Sequence, residues 1–113
     1  MEEDISAFVM AFGEAPAIKV IDFLIAERGL YDYTLTEIAE NSGVSWATLH
    51  KVFPMLEKFN IVKETRRIGK AKLYVLNEGN PFVQKLVEID KMASATLTQQ
   101  ALESQENKLA ESV

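Results

Sequence analysis

Two helical patterns meet at one glycine, and this junction constrains the fold more than any other part of the chain. The pattern before it is a short helix over about Glu37–Ser42, with Thr36 as its expected N-cap. The pattern after it begins at Ser45, a residue type that caps helices well. Gly43 lies between them and can adopt the positive φ of a tight turn at little cost. The stretch NSGVSWATLHKVF therefore predicts two helices joined by a tight turn. The second helix is either packed on the first alone or also shaped for a DNA groove.

This second helix has one clearly apolar side. Its apolar residues recur every three or four positions and form an expected buried stripe of Leu49, Val52, Phe53, Leu56 and Phe59. Asn60 is expected to end the helix, because asparagine tolerates the left-handed conformation. Pro54 lies inside the helix and cannot donate a hydrogen bond to the carbonyl of His50, which predicts a bend there.

Two more helices are predicted upstream. The first has its apolar residues spaced for one helical face, at Ile5, Phe8, Val9 and Phe12. The second is predicted over Ala17–Glu27, with Pro16 near its first turn and Gly29 as its C-cap. Apolar residues cover more than one side of this second helix, which is typical of a central, well-covered position.

Downstream of these helices the hydrophobic period changes. The stretch IVKETRRIGKAKLYVL is rich in β-branched and aromatic residues, and it predicts a hairpin of Val62–Arg66 paired with Ala71–Leu76. Gly69 lies at the expected tip. A long helix is predicted from Phe82, with Pro81 near its first turn. The polar stretch at the C-terminus either frays or extends that helix.

The order of these elements is that of a winged helix. The segment LTEIAENSGVSWATLHKVFPMLEKFNIVKE resembles the winged helix-turn-helix of bacterial and archaeal transcriptional regulators of the ArsR/MarR type. The hairpin segment RRIGKAKLYVLNEGNP resembles the wing of archaeal members, and the resemblance spans about residues 17–82. The matching positions are Ile38, Ala39, Gly43, Val44, Ser45, Thr48, Leu49, Leu56, Ile61 and Val62. The resemblance implies a homodimer whose terminal helices form the interface and whose two recognition helices reach successive major grooves.

The predicted fold class is therefore mainly α with a small β-hairpin wing, a winged helix-turn-helix with additional N- and C-terminal dimerisation helices. Residues 1–80 are expected to form the DNA-binding domain, including the N-terminal helix, and residues 81–113 the C-terminal dimerisation helix and polar tail. The predicted dimer contacts are apolar residues of both terminal helices, namely Ile5, Phe8, Phe12, Phe82, Leu86, Ile89, Ala93 and Leu97. Those from Phe82 onward form a seam near the 3.5-residue period, although the seam could instead cover the domain's own core.

The distribution of charge is more informative than its sum. The chain has 12 basic and 17 acidic residues, a net charge of −5. Residues 41–75 nevertheless hold seven basic and two acidic residues, a charge of +5, which leaves −10 elsewhere. Because screening makes nearby charges outweigh distant ones, a local basic patch on an acidic body can still bind phosphate.

This patch coincides with the parts of a winged helix that meet DNA. The residues predicted to read bases are those of the recognition helix outside its buried stripe and near its start, namely Ser45, Trp46, Ala47, Thr48, His50 and Lys51. The residues predicted to hold phosphate or to enter the minor groove are four cations of the hairpin at and near its tip, namely Arg66, Arg67, Lys70 and Lys72. The sequence thus predicts a sequence-specific regulator of transcription that binds double-stranded DNA.

Simpler interpretations of the same residues stay open. Trp46 occupies a position where a polar residue is more common in such regulators, and it could pack on the wing or on a partner subunit. The basic hairpin could be an edge that its charges protect from aggregation. The whole domain could act as a protein–protein interaction module or adaptor subunit, because a fold does not fix a function. A small-molecule effector, common in MarR-type relatives, is possible but nothing in this sequence marks a pocket for one.

Several classes of function find no support in the residues. The absence of cysteine excludes disulfides, thiolate metal sites and cysteine nucleophiles. There is no Gly-rich phosphate loop after a strand and no acid pair on a defined face, so neither enzymatic activity nor a cofactor is expected. No metal site is expected at His50, the only histidine. The start of the chain has no secretory signal, and its most apolar window is too short to span a bilayer, so a cytoplasmic protein without a membrane partner is expected.

Overall fold

The computed structural model describes residues 5–111 and has five helices and one antiparallel hairpin in that range. The elements are α1 Ala7–Phe12, α2 Pro16–Ala26, α3 Leu35–Ser42, α4 Trp46–Lys58, β1 Val62–Ile68, β2 Ala71–Leu76 and α5 Pro81–Glu111. Helix α4 is the recognition helix of the sequence analysis, and we call the hairpin of β1 and β2 the wing. This arrangement confirms the predicted fold class, a mainly helical winged helix.

Helix α2 runs through the centre of the core, as its apolar pattern predicts. Val20, Leu24 and Ile25 are at most 2% exposed and pack against residues of α3, α4 and the wing. Pro16 is the first residue of the helix, where its missing N–H costs nothing. The prediction that Gly29 caps this helix was wrong. The helix ends earlier, and Gly29 lies in the following turn with φ of 77°.

Helix α3 begins two residues earlier than predicted, because Thr34 rather than Thr36 is its N-cap. The Thr34 hydroxyl accepts a hydrogen bond from the Glu37 N–H at 3.2 Å, and the Glu37 carboxylate accepts one from the Thr34 N–H at 2.9 Å. This reciprocal capping box satisfies two backbone donors at once, which a cap at Thr36 could not do with Glu37.

The turn between α3 and α4 has the geometry that the sequence predicts. Gly43 has φ of 73°, and the N–H of Val44 donates to the Ala39 carbonyl at 3.1 Å. Lys19 of α2 donates from Nζ to the Gly43 carbonyl at 3.2 Å, so that α2 holds the turn from outside. These bonds fix where α4 starts relative to α3.

Helix α4 buries most of its predicted stripe and ends where the sequence indicates. Leu49 and Leu56 are fully buried, and Asn60 adopts the left-handed conformation with φ of 54°. Phe59 is an exception, since 53% of it is exposed. It is the C-cap residue, beyond the last helical turn, and so does not continue the stripe.

The wing is longer than predicted and carries a bulge. Strand β1 extends to Ile68, which pairs with Ala71 and leaves a two-residue turn whose Gly69 has φ of 61°. The register shifts at Thr65, which lies opposite no residue of β2 in the ladder, although its hydroxyl lies 3.3 Å from the Leu73 carbonyl. Tyr33, in the link before α3, forms an isolated bridge to Tyr74 through two backbone hydrogen bonds of 2.9 and 2.8 Å. This bridge attaches the base of the wing to the helical body.

Helix α5 is a single helix of 31 residues, about 46 Å long, so the C-terminal stretch extends it as far as Glu111. Its start belongs to the core, because Val83 is fully buried and Leu86 packs against the buried cluster. All described residues after Ala93 are exposed, and the helix projects from the body. Phe8 of α1 is 2% exposed and lies in the same core. Within residues 5–111 no helix is long and apolar enough to cross a membrane.

Candidate nucleic-acid interface

The start of α4 is held by two hydroxyl groups. Ser45 is the N-cap, and its Oγ accepts a hydrogen bond from the Thr48 N–H at 3.0 Å. The Ser45 hydroxyl also donates to Thr48 Oγ1 at 2.8 Å. The N–H groups of the first helical turn precede the intrahelical ladder and point along the axis, out of the helix. A helix start of this kind attracts anions.

The side of α4 opposite the core carries the predicted reading residues. Trp46 and His50 are one turn apart and stack with ring centroids 3.7 Å apart and ring planes at 49°. Ala47 and Lys51 form a parallel exposed row on the same side. Trp46 remains 57% exposed, so the stack on His50 does not remove it from solvent. The helix thus presents an aromatic row beside a row of a small and a basic residue.

A cleft of about 270 Å³ separates this face from the wing. One wall holds Trp46 and His50, and the other holds Lys70, Ala71 and Lys72. Two roles are considered for Trp46, namely contact with DNA bases and packing on the wing or a partner subunit. Its ring lines a wall that faces the wing, yet most of its surface is open.

The guanidinium of Arg66 is bound to a carboxylate that the sequence does not indicate as its partner. Its Nε and Nη2 donate to the two carboxylate oxygens of Asp32 at 2.8 and 3.0 Å. Thr65 donates from its hydroxyl to the same carboxylate at 2.6 Å, since the bulge brings the two neighbouring side chains to one side. These hydrogen bonds hold the pKa of the Asp32 carboxyl well below its usual range, with the bond from Arg66 the largest cause. This pair thus connects the wing to the link before α3.

The other three predicted phosphate contacts of the wing differ in their partners. Arg67 pairs with Glu64 at 3.2 Å, and Lys72 approaches the same carboxylate at 4.0 Å. Lys70 lies in the turn at the tip and has no ion pair within residues 5–111. With Asp32 and Glu64 both counted, these four cations leave a charge of +2, and Lys63 of β1 brings the charge of the wing to +3. The sequence count of residues 41–75 omitted Asp32, which only the fold brings to this site.

Pro54 lies within α4 on its exposed side, and the helix continues through it from Trp46 to Lys58. Because proline has no N–H, the His50 carbonyl lacks its usual helical donor at position 54.

The apolar residues predicted for a dimer interface fall into two groups. Five of them are at least one third exposed, namely Ile5 just before α1, Phe12 of α1, and Phe82, Ile89 and Leu97 of α5. Of the other three, Phe8 lies in the domain's own core, Leu86 packs against it, and Ala93 is partly buried. Phe8 in particular is buried by its own chain and is not available to a partner. Met10 and Met92 add exposed apolar surface that the periodicity does not single out.

The structure adds a contact that the sequence does not indicate. Asn77 and Asn80, in the turn before α5, donate from their side-chain amides to the end of α4. The only hint in the sequence is the turn-forming stretch NEGNP itself. In residues 5–111 there is no group of histidine and acidic side chains that could hold a metal ion.

Comparison with solved structures identifies the fold. A mutant of Lactococcus lactis ZitR in apo form superposes with a TM-score of 0.62 at 18% identity, covering 92% of this chain and 82% of that one. MepR of Staphylococcus aureus, a transcription regulator of the multidrug efflux pump MepA, gives 0.59 at 18% identity, covering 85% and 74%. Wild-type ZitR in complex with DNA gives 0.50 at 16% identity, covering 99% and 72%.

ZitR is a zinc-responsive member of the MarR family. The chain thus has the winged-helix fold of MarR-type regulators, as the sequence resemblance indicates. Comparison of the sequence with protein-family models and with curated proteins gives no match.

Proposed function

We propose that this protein is a homodimeric transcriptional regulator that binds double-stranded DNA sequence-specifically. Helix α4 enters the major groove, and the wing lies on phosphate or in the minor groove. The observation that carries the proposal is the exposed face of α4 beside a wing tip whose cation, Lys70, has no ion pair within residues 5–111. The likeness to a ZitR bound to DNA supports the same use of the fold.

The reading residues divide by their chemistry. Trp46 and Ala47 offer apolar contact, for which the thymine methyl group is the natural partner in the major groove. His50 and Lys51 offer hydrogen bonds to base edges or phosphates. Ser45 and Thr48 act mainly through the helix start that their hydroxyls stabilise. Reading bases is thus the task of four side chains on one exposed side of α4.

The wing supplies non-specific attraction. Lys70 is its main phosphate contact, and Arg67 with Lys72 adds one net positive charge after Glu64 is subtracted. Arg66 contributes chiefly by holding the wing in place through Asp32. Because phosphate contacts carry no sequence information, these residues set affinity and salt dependence rather than the site that is chosen.

Two copies associate through the terminal helices. The exposed apolar residues of α1 and α5 lie on helices that pack against each other, so they can form one continuous surface. A surface of this kind on a helix that projects into solvent is typical of an interaction site. We place the dimerisation function in residues 81–113 and the DNA-binding function in residues 1–80. The first turns of α5 also pack in the core of the DNA-binding domain.

Selection from random duplex DNA at two salt concentrations tests the proposal. We expect retention of a palindrome with half-sites about one helical turn apart, as two-fold symmetry requires. Lys70→Ala should lower affinity for the selected and random duplexes alike, and Lys91→Ala on α5 is the matched control for a lost charge. If no duplex is retained even at low salt, the proposal is wrong, and a protein–protein interaction module becomes the better interpretation.

A further inference from the structure

Asparagine side chains join the end of the recognition helix to the start of α5. The side-chain amide of Asn80 donates to the carbonyls of Phe59 and Asn60 at 3.0 and 2.9 Å. Its side-chain oxygen accepts a hydrogen bond from the N–H of Phe82, in the first turn of α5, at 3.0 Å. One side chain thus holds two helices that are about twenty residues apart in the chain. We call this set of bonds the asparagine joint.

The carbonyls at the end of α4 explain why the joint forms. The N–H of Ile61 returns to the Leu56 carbonyl at 2.8 Å, and the N–H of Asn60 to the Glu57 carbonyl at 3.0 Å. These are the two bonds of a Schellman ending, and they leave the carbonyls of Phe59 and Asn60 pointing onward from the helix. Backbone acceptors beyond a helix end need partners from elsewhere. Here the partner is a side chain at the start of the next helix.

The joint differs in kind from the apolar contacts of α5 with the body. Those contacts are made by Val83, Leu86 and Val87 in the core and by the ring of Phe82, whose centroid lies 6.1 Å from that of Phe59. The Gln84 side chain also donates to the Glu78 carbonyl at 3.0 Å, but Glu78 belongs to the turn before α5 and not to α4. Apolar burial is non-directional and tolerates small rotations, whereas hydrogen bonds weaken steeply when their angle changes. The polar joint is therefore the contact best suited to fix the angle between α4 and α5.

We propose that Asn80 is a positioning residue that sets the direction of α5 relative to the recognition helix. For a helix with about 1.5 Å of rise per residue, a tilt of about 10° at the joint moves the far end of α5 by about 8 Å. In the dimer proposed above, the same tilt changes the separation of the two recognition helices. Only this last consequence rests on the proposed function.

The chain offers a matched pair of variants. Asn80→Ser keeps an N-cap oxygen for α5, because serine caps well, but it is too short to reach the end of α4. Asn77→Ser removes another hydrogen bond to the same Asn60 carbonyl, of 3.1 Å, without touching α5. Thermal unfolding and sedimentation establish that each variant is folded and associates as the wild type does.

The direct measurement is the distance between α4 and α5. Because the chain lacks cysteine, Lys51→Cys on α4 and Gln99→Cys on α5 accept spin labels at two sites only. The labelled chain is diluted with unlabelled chain, so that pulsed electron–electron double resonance reports only distances within one chain. We expect Asn80→Ser to shift or broaden the distribution by roughly several ångströms at this lever length. Asn77→Ser should leave it unchanged.

Identical distributions with and without Asn80 overturn the inference, and so does an equal change in Asn77→Ser. On DNA, Asn80→Ser should weaken binding to the two-half-site duplex by about tenfold, relax the preferred half-site spacing and leave single half-site binding unchanged. An equal loss on single half-sites overturns the inference as well. If the wild type binds no DNA, the proposed function fails, and the distances alone still decide the role of Asn80.

Discussion

Asp32 and Arg66 are bound to each other through two parallel hydrogen bonds of 2.8 and 3.0 Å, although 34 positions separate them in the chain. Asp32 belongs to the link before α3 and Arg66 to the wing, so the pair closes the wing onto the helical body. The side chain of Asp32 is 17% exposed and that of Arg66 60% exposed. A planar guanidinium on a carboxylate in this bidentate form has a fixed geometry. The wing is thereby oriented before any DNA is met.

This pair leads to different expectations for two cations of the wing. Lys70→Ala should reduce the slope of log K against log salt by about one unit, because one phosphate contact is lost. Arg66→Ala should reduce the slope less but lower the midpoint of urea unfolding, since it removes the fastening of the wing. Binding titrations at four salt concentrations and urea unfolding of both variants check this. Equal slopes and equal stabilities for the two variants would show that Arg66 also works as a phosphate contact.

The same pair predicts a dependence of stability on pH. The folded-state pKa of Asp32 lies below its unfolded value, so the pair contributes stability that is full above about pH 4. That contribution is lost as the pH falls through the folded pKa. The difference in unfolding free energy between the wild type and Asp32→Asn should therefore be constant from pH 7 to about pH 5 and shrink in stronger acid. Urea unfolding from pH 7 to pH 3 measures it. A difference that grows towards low pH would contradict the assigned role.

The turn before the recognition helix should be sensitive to a single methyl group. Gly43 has φ of 73°, so Gly43→Ala should lower the free energy of unfolding by about 1–2 kcal/mol. Gly79 is a matched control, because its φ is not positive and an added Cβ would lie in ordinary contact, 3.7 Å from Asn77 Oδ1. Gly79→Ala should be neutral or slightly stabilising. Equal losses in both variants would mean that backbone strain at Gly43 is not the cause.

Truncation of α5 can separate the residues needed for folding from those needed for dimerisation. A chain that ends after Ala93 keeps Val83, Leu86 and Val87, which complete the core. It should unfold cooperatively. Its dimer should be weaker and should dissociate at a higher protein concentration than the dimer of the full chain, because Leu97 and the rest of the projecting helix are gone. Sedimentation at several concentrations, with circular dichroism to verify folding, measures this. An equally tight dimer would place the interface on α1 and the first half of α5 alone.

The features predicted correctly from the sequence are those that local chemistry decides. Gly43, Ser45 and Gly69 each have a conformation or a capping role that their own side chain makes favourable. The start of α3 was misplaced because both threonines near it can cap. Only the reciprocal bonds of Glu37 with Thr34 distinguish the two.

What could not be predicted depends on contacts between distant segments. Asp32 meets Arg66, and Asn80 meets the end of α4, only once the wing has folded back onto the body. No hydrophobic period, residue spacing or motif in the sequence predicts either contact. For the same reason the charge of +5 counted over residues 41–75 does not include Asp32, the carboxylate that pairs with Arg66 and lies outside that segment.

The single tryptophan of the chain allows the most direct test of the DNA-binding face. Trp46 is 57% exposed on the side of α4 that should enter the groove. Acrylamide should therefore quench its fluorescence readily in the free protein. Binding of a duplex is followed by the anisotropy of the labelled DNA. The acrylamide quenching constant of Trp46 should then fall several-fold, because the base edges cover the ring. Binding that leaves the quenching of Trp46 unchanged would contradict the placement of α4 in the major groove.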